Sequence, residues 1–412
     1  MFFPRCVASE ERLALVRPEE KTLTIAIICD VLGKANNGTT IAAMNLINAM
    51  KERGHTVRVV CPDEERRGMP GWYVVSRYHF GPFQKYMEAN GVAPAKLDRR
   101  ILEAALQDAD IIHVILPFAL GKAAAHYAAA HRIPLTAGFH CQAENITSHL
   151  SLQNIRSVNR WVYRILNRRL YRFCDCIHYP TQFICDVFEK AVGPTPHRVI
   201  SNGVDRAFRP GPGLPVGRVF TVLFIGRFSR EKRHDVLIDA VALSRHKNDI
   251  QLLFAGTGPL KDKLLRRARK KGIPLPIMRF YSREELVGVI RSADLYVHPA
   301  ETEIEAIACL EAIACGKTPL IADAPRSATR YFALSGENLF RANDPKELAK
   351  KMDWWLEHPR ERAACAQRYL NYARQFDFDR CMDEMERMLT ETVVEKRHEE
   401  SADHLLFRRT YG

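Results

Sequence analysis

In Phe224-Ile-Gly-Arg-Phe-Ser-Arg-Glu-Lys-Arg233 an apolar strand runs into Gly226, with Arg227 just past the strand and Lys232 in the first turn of the next helix. This is the strand–loop–helix junction of a parallel α/β sheet. Side chains at such a junction project into the crevice at the carboxyl ends of the strands. There they stand beside a helix N-terminus, whose unpaired N–H groups favour anions. Arg227 can grip a diphosphate with two parallel hydrogen bonds, and Lys232 can add a point charge. On chemistry alone, a solvated basic helix start explains the stretch equally well.

Two later junctions extend the pattern. Phe254-Ala-Gly-Thr-Gly-Pro259 puts Gly256 and Gly258 after a strand, where glycine either lets the backbone approach a ligand or only makes a tight turn. The run Tyr296–Gly316 ends a strand at His298, passes through Glu301, Glu303 and Glu305, and continues as an alanine-rich apolar helix that stops at Gly316. Glu311 lies inside that helix, where a carboxylate must find partners or face a cleft. The loop-to-helix transition can aim Glu303 and Glu311 into one site, and carboxylates bind vicinal hydroxyls, so sugar and ribose are plausible ligands. The alternative is a solvated acidic loop with Glu311 paired to a lysine.

Outward from these junctions, strand-length apolar runs alternate with helical patterns. Strands are expected near Thr22–Cys29, Thr56–Cys61, Ile111–Ile115, Leu135–Gly138, Cys176–Tyr179 and Arg198–Ser201. After the Pro/Gly-rich segment Phe208–Pro215 the rhythm restarts at Val219–Ile225, Ile250–Ala255, Ile277–Phe280, Leu295–His298 and Pro319–Ala322. The 412 residues, 47% of them hydrophobic, suffice for two cores. The expected class is α/β, with two Rossmann-like doubly wound domains facing a central cleft. The expected divisions are an extension 1–21, a first domain 22–207, a linker 208–217, a second domain 218–375 and a C-terminal helix 376–412 that crosses back, its kink near Phe376-Asp-Phe-Asp379.

No apolar run reaches the roughly 18 residues of a membrane span. The extension carries Glu10, Glu11, Glu19 and Glu20 and does not read as a secretory signal. The 11 cysteines include no C-x-x-C pair, which fits a reducing compartment and argues against a zinc site. The net charge of +13 calls for anionic partners. It is spread along both halves without a recognition motif, which argues against nucleic acid. The first strand leads into Asp30-Val-Leu-Gly-Lys-Ala-Asn-Asn-Gly38, not Gly-x-Gly-x-x-Gly, which argues against a nicotinamide enzyme.

The three second-domain motifs together resemble the retaining GT-B glycosyltransferases of the Glu-x7-Glu type. They are Gly-Arg-x-Ser-x-Glu-Lys at 226–232, Gly-x-Gly-Pro at 256–259 and Glu-x7-Glu at 303–311. That resemblance implies that Arg227 and Lys232 hold a donor diphosphate beside Gly226, Gly256 and Gly258. Glu303 would contact the donor sugar and Glu311 the ribose. The backbone of Ile304, Glu305, Ala306 and Ile307 would cradle sugar and phosphate. From the first domain, Gly38 would approach the diphosphate and His140 the sugar. Two departures, Glu305-Ala306 where the family has Phe-Gly and Asn37-Gly38 where it has Gly-Gly, point to a subgroup. With Thr136–Thr147 and Ala324-Pro-Arg-Ser-Ala-Thr329 they resemble bacterial diacylglycerol α-glucosyltransferases. This implies UDP-glucose as donor and diacylglycerol as acceptor. GDP-mannose with phosphatidylinositol, or a soluble sugar acceptor, is the alternative. No Asp-x-Asp falls at a strand end in the cleft, so no metal is expected, and Arg227, Lys232 and helix N-termini would neutralise the leaving group.

The segment Ser151–Phe173 carries Arg156, Arg160, Arg164, Arg168, Arg169 and Arg172 and no acid. On a helical wheel Ile155, Val158, Val162, Ile165, Leu166 and Leu170 oppose the arginines, with Trp161 and Tyr163 as interfacial aromatics. This reads as a helix lying on an anionic membrane surface. A core-facing helix with arginines in water is the alternative. The expected location is therefore cytoplasmic, peripheral on the inner face of the cell membrane. Trp72–Phe83 either adds membrane contact or forms a sheet-edge loop, and the basic run Lys261–Lys271 reads as a solvated helix face.

Overall fold

The computed structural model describes residues 22–32, 38–79, 81, 94–148, 152–214 and 219–411. The extension 1–21, residues 33–37 ahead of Gly38, Phe80 and Phe83 of the aromatic stretch, and part of the linker (215–218) lie outside the described residues.

The first lobe is built on β1 (Thr24–Ile28), β2 (Thr56–Cys61), β3 (Trp72–Val74), β4 (Ile111–Val114), β5 (Leu135–Gly138), β6 (Cys176–Tyr179) and β7 (His197–Val199). Their order is β3-β2-β1-β4-β5-β6-β7, and every neighbouring pair is parallel. Parallel strands need crossovers, and these put helices on both faces. The helices are α1 (Gly38–Glu52), α2 (Arg99–Leu106), α3 (Ala119–His131), α4 (Ala143–Ser148), α5 (Arg156–Arg169) and α6 (Gln182–Val192). The double cover explains why β4, β5 and β6 are buried along their whole length, His113 and His178 included. Asp98 and Thr181 cap α2 and α6 by accepting backbone N–H bonds.

The second lobe repeats the plan. It holds β8 (Phe220–Ile225), β9 (Ile250–Ala255), β10 (Ile277–Arg279), β11 (Leu295–His298), β13 (Pro319–Asp323) and β15 (Leu339–Arg341), in the parallel order β10-β9-β8-β11-β13-β15. A separate two-stranded piece pairs β12 (Thr302–Glu303) with β14 (Arg326–Ser327). The helices are α7 (His234–Leu243), α8 (Lys261–Lys271), α9 (Arg283–Ser292), α10 (Ile307–Ala314), α11 (Pro345–Glu357) and α12 (Pro359–Ala373). Strand order reverses between β1 and β4 and between β8 and β11, and ligands gather outside the carboxyl ends of strands at such switch points.

After α12 a 3-10 turn at Arg374–Phe376 breaks the helix, and α13 (Phe378–Tyr411) returns to the first lobe. Met382, Met385, Met388, Leu389 and Val393 of α13 join the core that contains Ile25, Ile27, Ile47 and Val59. Arg53 pairs with Asp383 at 2.6 Å, and Lys396 with Asp175 at 2.7 Å.

Three expectations need correction. Trp72–Val74 is an edge strand and not a loop, and Trp72 stands beneath Lys51 and Arg66. Leu339–Arg341 is a strand that its three-residue length concealed. In α5, Tyr163 is buried and donates its hydroxyl to Glu144 at 2.6 Å, so it is not an interfacial aromatic. The helix spends Asn159, Tyr163 and Leu166 on its own domain, and Leu170 just beyond it is also buried. What remains outside is the arginine face with Trp161, 59% exposed, and Ile155, 44% exposed.

Gly203 stands where the chain leaves the first lobe, with φ +74°. A Cβ there would come within 3.1 Å of Phe378 Cα and 3.2 Å of Cys381 Cβ. Gly203→Val is therefore expected to cost about 2 kcal/mol or more, read as a lower denaturant midpoint, and an unchanged midpoint would show that this packing is not needed.

Candidate active site

Gly226 and Arg227 follow β8 directly, and the chain then makes a 3-10 turn over Arg230–Lys232. Lys232 thus closes that turn and does not sit in α7, which begins two residues later, because Arg233 adopts a left-handed conformation (φ 53°) that separates the two. At Gly256 and Gly258 the space that a side chain would need is taken by the loop after β8. A Cβ on Gly256 would lie 2.2 Å from the Gly226 carbonyl oxygen, and one on Gly258 2.6 Å from Phe228 N. Phe228 N–H donates to Thr257 at 2.8 Å, and Leu260 N–H to Phe228 at 3.1 Å. The Gly-x-Gly loop is glycine because the Arg227 loop lies against it, and it fixes that loop in place.

Lys232 Nζ forms an ion pair with Glu303 of β12. His298, at the end of β11, stands with Nε2 3.2 Å from the same carboxylate and Nδ1 3.0 Å from the Tyr296 hydroxyl. Tyr296 O–H donating to Nδ1 and Nε2–H donating to Glu303 satisfies both contacts with a neutral ring. Burial pushes Glu303 up, but Lys232 and His298 override it and hold the carboxyl down at about 2. Burial keeps His298 below its ordinary value although Glu303 pulls the other way. Arg227 leans on Glu231 at 3.3 Å, and Ser229 also donates to Glu231.

Glu311 is 3% exposed and pairs with Arg283 at 2.9 Å, so its partner is an arginine and not a lysine. Burial raises its carboxyl to about 7 against the pull of Arg283. The Arg283 guanidinium lies 4.7 Å from the centre of the Phe208 ring and 3.5 Å from Asp205, so the linker region supports this second pair. Glu303 and Glu311 accordingly sit in two separate charge pairs.

Between them, residues 303–307 tie the lobes together. The Ile304 carbonyl accepts from Thr181 Oγ1 at 2.8 Å, and the Ile304 side chain packs on the first-lobe core. Glu305 turns away from the donor crevice. Its carboxylate accepts from the Ser201 hydroxyl, Asn202 N–H and the Asn202 side-chain amide. Burial outweighs these donors and raises Glu305 to about 7. The expected donor role at this position belongs to the Glu305 backbone, and its side chain clamps the interlobe segment. Ala306 takes φ 63° as the residue before α10, whose first N–H groups have no intrahelical partner.

On the first lobe, Gly38 opens α1 with nothing within 4 Å of where a Cβ would be. His140 follows β5 and folds back, so that a Cβ on Gly138 would meet its Nε2 at 2.5 Å. Burial and the nearby His178 push His140 down to about 3, so the ring is neutral. Gln142 and the Gln153–Asn154 stretch meet Arg326 of the second lobe across the interlobe gap. Of the expected set, Lys232 and Glu303 touch, Arg227 stands beside them in sequence, Glu311 is paired apart, and Gly38 and His140 belong to the opposite lobe. His298 and Arg283 were missed. The first was visible only as a strand end, the second only as the residue after the Ser282 cap. Cys185, Glu189 and His197 also bring ligand-type atoms within 4.8 Å of one another, with Cys185 Sγ 3.6 Å from His197 Nε2 and Glu189 3.1 Å from His197 Nδ1.

Comparison with known proteins covers both lobes. The family model for Glycosyltransferase Family 4 matches residues 36–208, and that for glycosyl transferases group 1 matches residues 210–372. A GDP-mannose-dependent alpha-mannosyltransferase of Corynebacterium glutamicum is 26% identical over 375 residues, 86% of this chain and 84% of its own. An alpha-monoglucosyldiacylglycerol synthase of Streptococcus pneumoniae is 21% identical over 318 residues, 73% of this chain and 71% of its own. Among solved structures, Anabaena Alr3699/HepE in complex with UDP and glucose matches 90% of this chain and 100% of its own with TM-score 0.72 at 19% identity.

Two outcomes follow from the geometry. Replacing Ala306 by Gly relieves a left-handed backbone and is expected to stabilise the chain by about 1 kcal/mol, read as a higher Tm. Because Glu303 is held at about 2, its pairing stabilises the fold above its ordinary value of 4.5 and loses that contribution as pH falls towards 2. The stability gap between the chain and Glu303→Gln should therefore be largest near neutral pH, on the order of 2–3 kcal/mol, and close through that window. A gap independent of pH would remove the ion pair as its cause.

Proposed function

We infer that this chain, a glycosyltransferase of the GT-B type, transfers a hexosyl group with retention from a nucleotide-diphosphate sugar to a lipid hydroxyl at an anionic membrane surface. UDP-glucose and diacylglycerol are the first donor and acceptor of this reading. The observation that carries it is the Lys232–Glu303–His298 group at the carboxyl ends of β8 and β11. A cation and a carboxylate in contact at a switch point suit a ligand with a diphosphate at one end and hydroxyls at the other. Lys232 and Arg227 would take the diphosphate, which gains charge as the sugar leaves. Glu303, freed from Lys232, would accept from sugar hydroxyls. Neutral His140 and the open space at Gly38 would complete the site from the first lobe as the cleft closes and water is excluded.

The lipid acceptor rests on α5. Its arginines are exposed together with Trp161, and each arginine near an anionic surface contributes on the order of 1 kcal/mol. No helix among the described residues is long and apolar enough to cross a membrane. On this reading the chain binds peripherally at the cytoplasmic face through α5. The similarity to an alpha-monoglucosyldiacylglycerol synthase supports glucose and diacylglycerol. The similarity to a GDP-mannose-dependent enzyme over more of the chain favours a second reading, mannose from GDP-mannose with a phosphatidylinositol-type acceptor.

The test is radiolabel transfer into solvent-extractable product, with UDP-glucose or GDP-mannose and vesicles containing diacylglycerol, phosphatidylinositol or cholesterol. Label passing from UDP-glucose into diacylglycerol, and rising with anionic lipid, is the expected result. Label from GDP-mannose alone, or label confined to phosphatidylinositol or cholesterol, overturns the donor or the acceptor. Lys232→Ala and Glu303→Ala are each expected to lower kcat by about a hundredfold or more. Near-normal turnover in both would remove the site assignment.

A further inference from the structure

The basic run Lys261–Lys271 reads from sequence as a solvated face, but in the structure it walls a cavity. The space, about 520 Å³, lies between the start of α7 and the length of α8. Six cations line it: Arg230, Arg233, Lys263, Arg266, Arg267 and Lys270. None of Gly226, Arg227, Lys232 or Glu303 does, so it is distinct from the donor crevice.

The spacing of Lys263, Arg266, Arg267 and Lys270 puts all four on one stripe of α8, at i, i+3, i+4 and i+7. Like charges so placed repel and destabilise a helix. The nearby acids do not cancel them. Asp235 is committed to Arg233, and Asp239 to Arg267 and Lys271. Arg230, Lys263, Arg266 and Lys270 are exposed and form no ion pair among the described residues.

Two helix starts face the same space. Arg233 and Leu260, the residues that precede α7 and α8, both line it, and neither helix has a side-chain cap. Orphan N–H groups of two helices therefore add to the cations. A further observation is independent of the charges. His234 lines the cavity, is 1% exposed, and has no hydrogen-bond partner for either ring nitrogen among the described residues. Its ring stands among Phe224, Phe228 and Phe254. A buried imidazole with both nitrogens unsatisfied is a group that a ligand or its water can complete.

We propose that this cavity is a second anion site, for a ligand carrying two or more phosphate groups. A single phosphate would engage only part of the stripe, whereas a polyphosphate or neighbouring phosphorylated headgroups in a membrane span it and relieve the repulsion along α8. Two sources share this chemistry, a soluble polyphosphate and adjacent phosphomonoester headgroups at a membrane surface.

The experiment uses the full chain beside its K263S/R266S/K270S variant. All three side chains are exposed and lie outside the donor crevice, so transferase activity should persist. In low salt and without ligand the variant should melt no lower than the parent, because the repulsion is gone. Tripolyphosphate is titrated by calorimetry, and phosphatidylcholine vesicles with and without phosphatidic acid are tested by co-sedimentation. Anion binding in the donor crevice is common to both proteins and cancels in the comparison. Loss of tripolyphosphate affinity by about tenfold or more in the variant supports the site with a soluble ligand. Loss confined to phosphatidic acid vesicles supports it with a headgroup ligand. Equal binding of both probes by both proteins overturns it.

Discussion

The interlobe segment and the donor crevice are held by one short stretch, residues 303–307, and the constraint at its centre is the buried carboxylate of Glu305. Three donors from Ser201 and Asn202 converge on it. A buried carboxylate needs such partners, and removing them would strand it. With Glu305 turned back to the first lobe, Glu303 two residues earlier meets Lys232. Ile304 between them reaches the first-lobe core. The sharp reversal is completed by Ala306 in a left-handed conformation, and α10 starts at once. The strain at Ala306 is tolerated because contacts on both sides over-determine it.

The same stretch links the hinge to the C-terminal helix. Immediately after Asn202, Gly203 packs on Phe378, and Val204 N–H donates to the Phe376 carbonyl. The break before α13 thus sits against the segment that Glu305 clamps. Beyond the break, α13 buries methionines in the first-lobe core. Unbranched side chains fill that irregular seam well. The first lobe is therefore completed by residues from the far end of the chain.

Charge in this protein is organised by burial. In the crevice, cations and carboxylates are paired and mostly sequestered, Lys232 with Glu303 and Arg283 with Glu311. Pairing is what makes buried ions tolerable. On the proposed function these pairs also preposition groups that a donor would exchange into. Elsewhere unpaired cations remain exposed, on the outer face of α5 and along α8. Neither helix places acids where they would neutralise its arginines and lysines, and in both cases the apolar residues that share the helix are spent on the core.

Much of the fold was legible because parallel strands buried on both faces must be continuous apolar runs, and these stand out between helical patterns. The linker, the second-lobe junctions and the helix starts at Asp98, Thr181 and Asp344 carry equally local signals. Lys232, Glu303 and Glu311 could be singled out because charges in apolar surroundings demand an explanation. Their partners could not. The Glu303–His298 contact depends on how a two-residue strand folds back over β11, and the Glu311–Arg283 pair joins elements 28 residues apart. The inward turn of Tyr163, the outward face of Trp161 and the cavity under α8 depend on which side of each helix meets its neighbours. Helical periodicity offers two opposite faces and cannot say which of them a sheet will cover. By itself the sequence determined the alternation of elements and the residue types at each strand end. Only the tertiary structure decided which charges meet, because pairing is set by distances between segments that the order of residues along a chain does not contain.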